Sequence, residues 1–409
     1  MNRSLDDFSL SFLLDELVEA GLPKSIAERS DFLPSLILGT EGVDSLTGTE
    51  GRDYIFGLAG DDLIEGLGGN DFLFSGEGDN IVRGGDGRDR IYGKTGADQL
   101  FGNAGDDRFR DISGGNEIDG GEGRDTVNYR NVNKAIALSF KVGDPDRFPN
   151  EDTLQIEQAD LTADKISNIE RIIAPAGQAN SIDFQDTFFL PPLSGPSATA
   201  PAIDVNLGTN TLNTFIDGEE VTITVENFVD VIGSINDDII IGNQADNNLD
   251  GNLGDNVLEG GRGNDTLSTF ENDFLLGGSG SDTFTLKAAD KTVSGFVGPF
   301  PPVIEGLQAS EILDFQTDVD KIQLNREGQT AQSSPGFSVF YRGFREIPLG
   351  QLDPDLFRIV GSSDAPSSAH LAYNNNTGDL FYRVGSEIDN RIAAFSGAPD
   401  LAASDFVVV

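Results

Sequence analysis

Gly84-Gly85-Asp86-Gly87-Arg88-Asp89-Arg90-Ile91-Tyr92 is one copy of a nine-residue unit whose reading decides the fold. Ten such units run from Gly39 to Asn128 without insertion or deletion. Position four is always glycine: Gly42, Gly51, Gly60, Gly69, Gly78, Gly87, Gly96, Gly105, Gly114 and Gly123. Position six is a carboxylate or its amide: Asp44, Asp53, Asp62, Asp71, Asn80, Asp89, Asp98, Asp107, Asn116 and Asp125. Position eight is always apolar, from Leu46 and Ile55 through to Ile118 and Val127. A second glycine follows the first in copies such as Gly84-Gly85 and Gly120-Gly121.

The first six residues place glycine where the backbone turns tightly or takes φ > 0. The last three read as a short strand whose position-eight side chain points into a core. Glycine turns present bare carbonyl oxygens, and the aspartate adds a charged one. Hard oxygen ligands in a roomy, flexible cage suit Ca²⁺ better than the smaller Mg²⁺. A glycine-rich solenoid without metal would stack like charges over one another with nothing between them, which is unfavourable.

The consensus G-x-x-G-x-D-x-φ-x resembles the RTX, or haemolysin-type, calcium-binding family, for which this nonapeptide is a known signature. The resemblance implies an all-β fold, a parallel β-roll in which two nonamers make one turn and repeats n and n+2 stack. It also implies several calcium ions, each between stacked turns, held by both aspartates and glycine-loop carbonyls such as those of Gly51, Gly69, Gly87, Gly105 and Gly123. Applied here, that rule separates two ladders. One is Asp53, Asp71, Asp89, Asp107 and Asp125, charged at every rung. The other is Asp44, Asp62, Asn80, Asp98 and Asn116, in which two amides keep an oxygen but drop the charge. Weaker calcium binding is expected along the second, with Asp79 beside Asn80 in partial compensation.

The 409 residues include 69 acidic against 27 basic ones, a formal charge of −42. This is ample length for several domains. Such charge argues against nucleic acid, whose affinity comes from lysine and arginine on phosphate, and disfavours anionic membranes. Roughly ten divalent ions would offset about half of it. Without calcium the arrays read as a disordered acidic chain. The absence of cysteine excludes disulfides and thiolate chemistry and is neutral on compartment. No apolar stretch reaches the length of a membrane-spanning helix, and the acidic N-terminus lacks the pattern of a cleavable signal.

Residues 1–38 read as a helical N-terminal cap. Leu10, Leu13, Leu14, Leu17 and Val18 form one apolar face of a helix over 5–20, expected to cover the first open coil because a solenoid end must be covered. A membrane-surface helix is disfavoured because this one is acidic. Residues 39–128 are the first β-roll, and 129–232 a β connector with a Pro-rich excursion from Pro191 to Pro201. Lys165–Glu170 and Val225–Asp230 look like two copies of one connector. Residues 233–285 form a second, degenerate β-roll with Asp238, Asn247, Asn256, Asp265, Asp273 and Asp282 at position six. A one-residue deletion near Ser268 shifts its frame. Only Asp265 and Asp282 form a charged neighbouring pair, so fewer or weaker ions are expected, with Asp238 and Asp273 among the ligands.

Residues 286–409 read as a β-rich C-terminal domain. Ile312-Leu-Asp-Phe315 and Asp320-Lys-Ile-Gln-Leu324 resemble the terminal motif of bacterial RTX proteins, with Asp318 where that motif has glycine. Tyr373 to Tyr382 reads as a hairpin around Asn-Thr-Gly. The ending Ser404-Asp-Phe-Val-Val-Val409 looks like an uncleaved type I secretion signal, or a last strand capping the roll, or both.

Catalytic signatures are missing. The single histidine, His370, lies outside the arrays, and no H-E-x-x-H or nucleophile-elbow pattern accompanies it. The expectation is a non-enzymatic, secreted protein passed by a type I secretion channel. It would fold on calcium, each independent site adding about 2.7 kcal/mol at 100-fold excess over Kd. Three roles compete: a self-associating surface-layer, sheath or filament component; an adhesin or binder of cell-surface polysaccharide; and a hydrolase using His370.

Overall fold

The computed structural model describes residues 36–110, 112–141, 153–158, 163–185, 201–216, 218–270, 272–287, 290–294, 309–325, 330–334, 337–342, 348–360, 370–382 and 390–409. The helix expected over 5–20 and most of the Pro-rich excursion lie outside these residues. The chain divides into two units, 1–128 and 129–409.

In the first unit each nonamer contributes one strand, and strands two repeats apart pair in parallel. Tyr54–Phe56 pairs with Phe72–Phe74, which pairs with Arg90–Tyr92, which pairs with Arg108–Arg110. The intervening repeats build a second parallel sheet from Leu63–Gly69, Ile81–Gly87, Gln99–Ala104 and Glu117–Glu122. Partners such as Ile55 and Leu73 are 18 residues apart, so one coil is two nonamers. This is a parallel β-roll. Successive coils rise by about 4.8 Å, the spacing of hydrogen-bonded strands.

Alternation along a strand sends position eight inward. Ile55, Ile64, Leu73, Val82, Ile91, Leu100, Phe109, Ile118 and Val127 are all completely buried. This thin core of one aliphatic or phenyl group per nonamer contributes about 1.5–3 kcal/mol per side chain. A one-residue slip would put Arg108 or Arg110 in the place of Phe109 and Glu117 or Asp119 in that of Ile118, so the core fixes the register.

The second unit carries the same two-sheet plan through the connector. On one side Ile136–Lys141, Ser181–Asp183, Asp230–Ile232, Asn248–Asp250, Thr266–Thr269, Thr283–Leu286, Lys321–Leu324 and Phe406–Val408 stack in parallel. On the other, Asp204–Asn206, Ile239–Ile241, Val257–Arg262, Phe274–Ser279, Ser310–Ile312 and Asn390–Phe395 do so. The connector adds antiparallel excursions that a nonapeptide frame does not contain. Thr153–Gln158 pairs antiparallel with both its neighbours, and Thr211–Ile216 does the same.

The two connector copies share a conformation. Asn168 and Asn227 both take left-handed φ, at 52° and 66°, and the next residue, Ile169 or Phe228, is buried. The frame shift near Ser268 appears as pairing at 17 rather than 18 residues, Leu258 with Leu275. Asp318 has φ of 66°, so it keeps the left-handed turn that the family pattern assigns to glycine, a region aspartate enters more readily than most residues. The predicted hairpin is present: Leu371–Asn374 pairs with Asp379–Tyr382 around Gly378. The chain's last strand, Phe406–Val408, lies parallel to Lys321–Leu324 with Phe406 and Val408 buried.

Candidate metal centre

Position six lies where the turn enters the strand, one residue before the pairing begins. Asp53, Asp62, Asp71, Asn80, Asp89, Asp98, Asp107, Asn116 and Asp125 are all at most 2% exposed. Burying carboxylates at this density requires compensation for each charge. Part comes from the backbone one coil below. The Asp53 amide donates to Asp71 Oδ1 at 2.8 Å, Asp71 to Asp89 Oδ1 at 2.8 Å, Asp89 to Asp107 Oδ1 at 2.7 Å and Asp107 to Asp125 Oδ1 at 2.7 Å. The second ladder runs likewise through Asp44, Asp62, Asn80, Asp98 and Asn116 at 2.9 Å per step. The structure thus connects the residues of each expected ladder in the expected order.

The other carboxylate oxygen is left over. Oδ2 of Asp62, Asp71, Asp89, Asp98 and Asp107, and of Asp265 in the second array, is buried without a hydrogen-bond partner. Leaving a charged acceptor in this state is expensive. Most of these oxygens face a cradle that a side chain would fill. A Cβ built on Gly84 would meet both the Gly102 carbonyl oxygen and Asp89 Oδ2. The same pairing recurs at Gly66 with Gly84 O and Asp71 Oδ2, and at Gly102 with Gly120 O and Asp107 Oδ2. Carbonyl and carboxylate oxygens converge on one small space in front of a bare Cα, a donor set that suits a hard divalent cation. Among the described residues no three His, Cys, Asp or Glu side chains gather around a common point. The sites therefore depend on backbone oxygens as much as on side chains. Calcium would supply the positive charge that these oxygens lack.

The position-one carbonyls of Gly66, Gly84, Gly102 and Gly120 were not singled out by sequence, although glycine at that position is their signal. Of the position-four glycines that were, Gly69, Gly87, Gly105 and Gly123 take positive φ, whereas Gly51 does not. Their carbonyls stack coil on coil. The amide rungs show where such a carbonyl points: Asn80 Nδ2 donates to Gly78 O at 2.9 Å and to Asp98 Oδ1 at 2.9 Å. An amide NH₂ here gives oxygens the donors that a cation would otherwise replace. This is the physical reason to expect weaker calcium binding along the second ladder.

The second array repeats the pattern with more substitutions. Asp238 donates its amide to Asn256 Oδ1 at 2.9 Å and Asn256 to Asp273 Oδ1 at 2.8 Å. On the other side Asn247 donates to Asp265 Oδ1 at 2.8 Å and Asp265 to Asp282 Oδ1 at 2.9 Å. The ladder then goes further than the repeats: the Asp282 amide donates to Asp320 Oδ1 at 2.9 Å. Asp320 is buried and makes a second charged neighbour for Asp282. Its local sequence, Asp320-Lys-Ile322, is again aspartate two residues before an inward apolar group, the signal that could have found it. Opposite, Asp273 meets Ser310 instead, whose Oγ accepts its amide at 3.1 Å.

Without a cation the buried carboxyls resist ionisation. Burial pushes Asp71 up to about 7, with the Asp89 and Asp53 charges adding to it against the Asp53 amide. Burial likewise takes Asp107 and Asp238 to about 7, and Asp89, Asp98 and Asp265 to about 6. Between the ordinary aspartate value and these, the metal-free roll binds more protons than the unfolded chain. Its stability therefore falls as pH rises through about 6 to 7. In chelator, the β signal by circular dichroism should be larger at pH 5 than at pH 8. Protons and cation compete for the same oxygens, so in calcium the folding midpoint should move to higher calcium as pH falls from 7.5 to 5.5. A midpoint that ignores pH would mean these carboxyls are not the ligands.

Comparison with known proteins gives one family. The model described as the RTX calcium-binding nonapeptide repeat matches in four copies, at residues 38–73, 74–109, 232–267 and 269–287. Among curated proteins none matches the chain. A solved structure, that of extracellular lipase LipA from Serratia marcescens, aligns with 85% of this chain at 15% identity and a TM-score of 0.24. The aligned part is 45% of the lipase, and at that similarity nothing of its activity carries over. No helix among the described residues is long and apolar enough to cross a membrane. With the coil of two nonamers, the paired ladders and the four matched segments in agreement, both arrays are RTX calcium-binding nonapeptide repeats.

Proposed function

We propose that this is a secreted protein that folds on meeting extracellular calcium and serves as a structural component of a cell surface, without catalytic activity. The observation that carries it is the series of buried, unpartnered carboxylate oxygens, which makes the fold conditional on a divalent cation. A calcium-poor interior then keeps the arrays open for a type I channel, and a calcium-rich exterior closes them. Within the second unit, the parallel stack that runs from Ile136–Lys141 to Phe406–Val408 supports a structural role, because the unit's described residues are largely spent on the roll. His370 sits at the foot of the Leu371–Asn374 strand.

Light scattering and circular dichroism during a calcium titration test this. β structure and large particles growing together support a self-assembling component, whereas folded monomers reject it. A second reading, a calcium-dependent polysaccharide binder, has one observation in its favour. An open groove of about 660 Å³ is lined by Asn206, Thr209, Asn243, Gln244 and Arg262. Retention of the monomer on polysaccharide would favour it. A hydrolysis lost in His370→Ala would be needed to revive an enzymatic role.

A further inference from the structure

Position two of the nonamer occurs in two backbone states. In the first array Leu58, Leu67, Gly85, Lys94, Asn103 and Gly121 take left-handed φ, between 62° and 109°. Gly261 does the same in the second array, at 105°. Leucine and lysine rarely enter this region. Each of these residues stands four before an aspartate whose Oδ2 is buried without a hydrogen-bond partner. Thr40, Thr49, Ser234, Thr269 and Gln316 hold the same place before Asp44, Asp53, Asp238, Asp273 and Asp320, and none of the five is left-handed.

In that second state the carboxylate is served from within its own turn. The Thr40, Thr49 and Ser234 amides each donate to the Oδ2 four residues on at 2.6 Å, and the Gln316 amide donates to Asp320 Oδ2 at 2.8 Å. The Thr40 and Thr49 hydroxyls add a second donor to the same oxygen, at 2.8 and 2.9 Å. At Asp273 the Thr269 hydroxyl alone donates to Oδ2. Two donors fill both lone pairs of Asp53 Oδ2 and set partially positive hydrogens where a cation would approach. The carbonyl cradle itself is not what differs. A Cβ on Gly48 would meet the Gly66 oxygen at 2.6 Å beside the served Asp53, and one on Gly102 would meet the Gly120 oxygen at 2.5 Å beside the unserved Asp107.

We propose that position two determines, rung by rung, which aspartates ligate calcium: left-handed residues leave Oδ2 open to the ion, and the others seal it with the chain's own donors. The sealed rungs stand where ladders begin or stop. Asp44 and Asp53 open the first array, Asp238 opens one side of the second, and Asp273 and Asp320 are the last aspartates of its two ladders. A ladder thus ends as a helix does, with a hydroxyl and an amide taking up the terminal groups. Asp44, Asp53, Asp238 and Asp273, expected among the ligands from their place in the repeat, are assigned to this closing role instead.

Native mass spectrometry of the full chain in excess calcium counts the ions. Asp71→Asn should hold about one ion fewer than the wild type. Asp53→Asn, one rung away on the same charged ladder, should hold as many as the wild type. A lost ion in Asp53→Asn, or an unchanged count in Asp71→Asn, overturns the proposal. Should Asp71→Asn fail to fold, hydrogen exchange on the wild type decides. In calcium the Thr49 and Ser234 amides should exchange roughly a hundredfold or more slower than in the unfolded chain, and exchange at the unfolded rate overturns the sealing. The proposal rests on calcium binding by the arrays. A wild type without ions would overturn that reading as well, whereas a wrong order between the two variants overturns the position-two rule alone.

Discussion

Gly87→Ala is expected to abolish calcium-induced β structure in the first array, while Gly42→Ala leaves it in place. Both residues are position-four glycines and the sequence does not distinguish them. Gly87 has φ of 128°, and a methyl there would overlap the Gly69 carbonyl oxygen one coil below. The chain cannot move aside, because Phe72 and Arg90, and Arg90 and Arg108, are already locked in register around it. Such strain and overlap together belong to the rare class of substitutions costing more than about 4 kcal/mol. Around Gly42 the nearest atom to a new Cβ is Thr40 Oγ1 at 3.9 Å, and its φ is not in the left-handed region. A calcium titration followed by circular dichroism separates the two variants. Equal behaviour would show that the coils do not stack as described.

The second large effect belongs to the charged ladder. Asp89→Asn should raise the calcium concentration at half-folding, by roughly tenfold for each 1.4 kcal/mol lost. Its Oδ1 accepts from Asp71 and its amide donates to Asp107, so the substitution falls between two carboxylates. The new amide NH₂ would stand where Oδ2 now faces the Gly102 carbonyl. Asp98→Asn should shift the midpoint less. Asp98 already lies between Asn80 and Asn116, and Asn80 Nδ2 already serves its Oδ1. Identical midpoints for the two variants would remove the distinction between the ladders.

The roll was legible because one short rule is applied ten times. Glycine at position four, a carboxylate at six and an apolar group at eight each have a separate physical cause, and the three causes agree. The order of residues along each ladder followed from the coil length alone. What sequence could not convey is which oxygen lacks a partner, since Oδ1 of Asp71 is served by a backbone amide and Oδ2 is not. Asp320 was passed over because 38 residues separate it from Asp282, which takes it out of any nine-residue frame. The connector was read as β, but the antiparallel direction of Thr153–Gln158 and Thr211–Ile216 depends on their pairing partners and not on their own sequence.

The step from Asp282 to Asp320 has a consequence for how such a chain can grow. An ordinary step spans 17 residues here and this one spans 38. Closing the longer loop costs only about 0.7 kcal/mol more, because closure entropy rises with the logarithm of length. A single additional ion or inward aliphatic group outweighs that several times over. Material inserted between coils is therefore nearly free thermodynamically, provided that the chain comes back on an aspartate two residues before an apolar side chain. An architecture with this tolerance can acquire new surface segments without re-solving its folding problem, and the grammar of re-entry is three residues long.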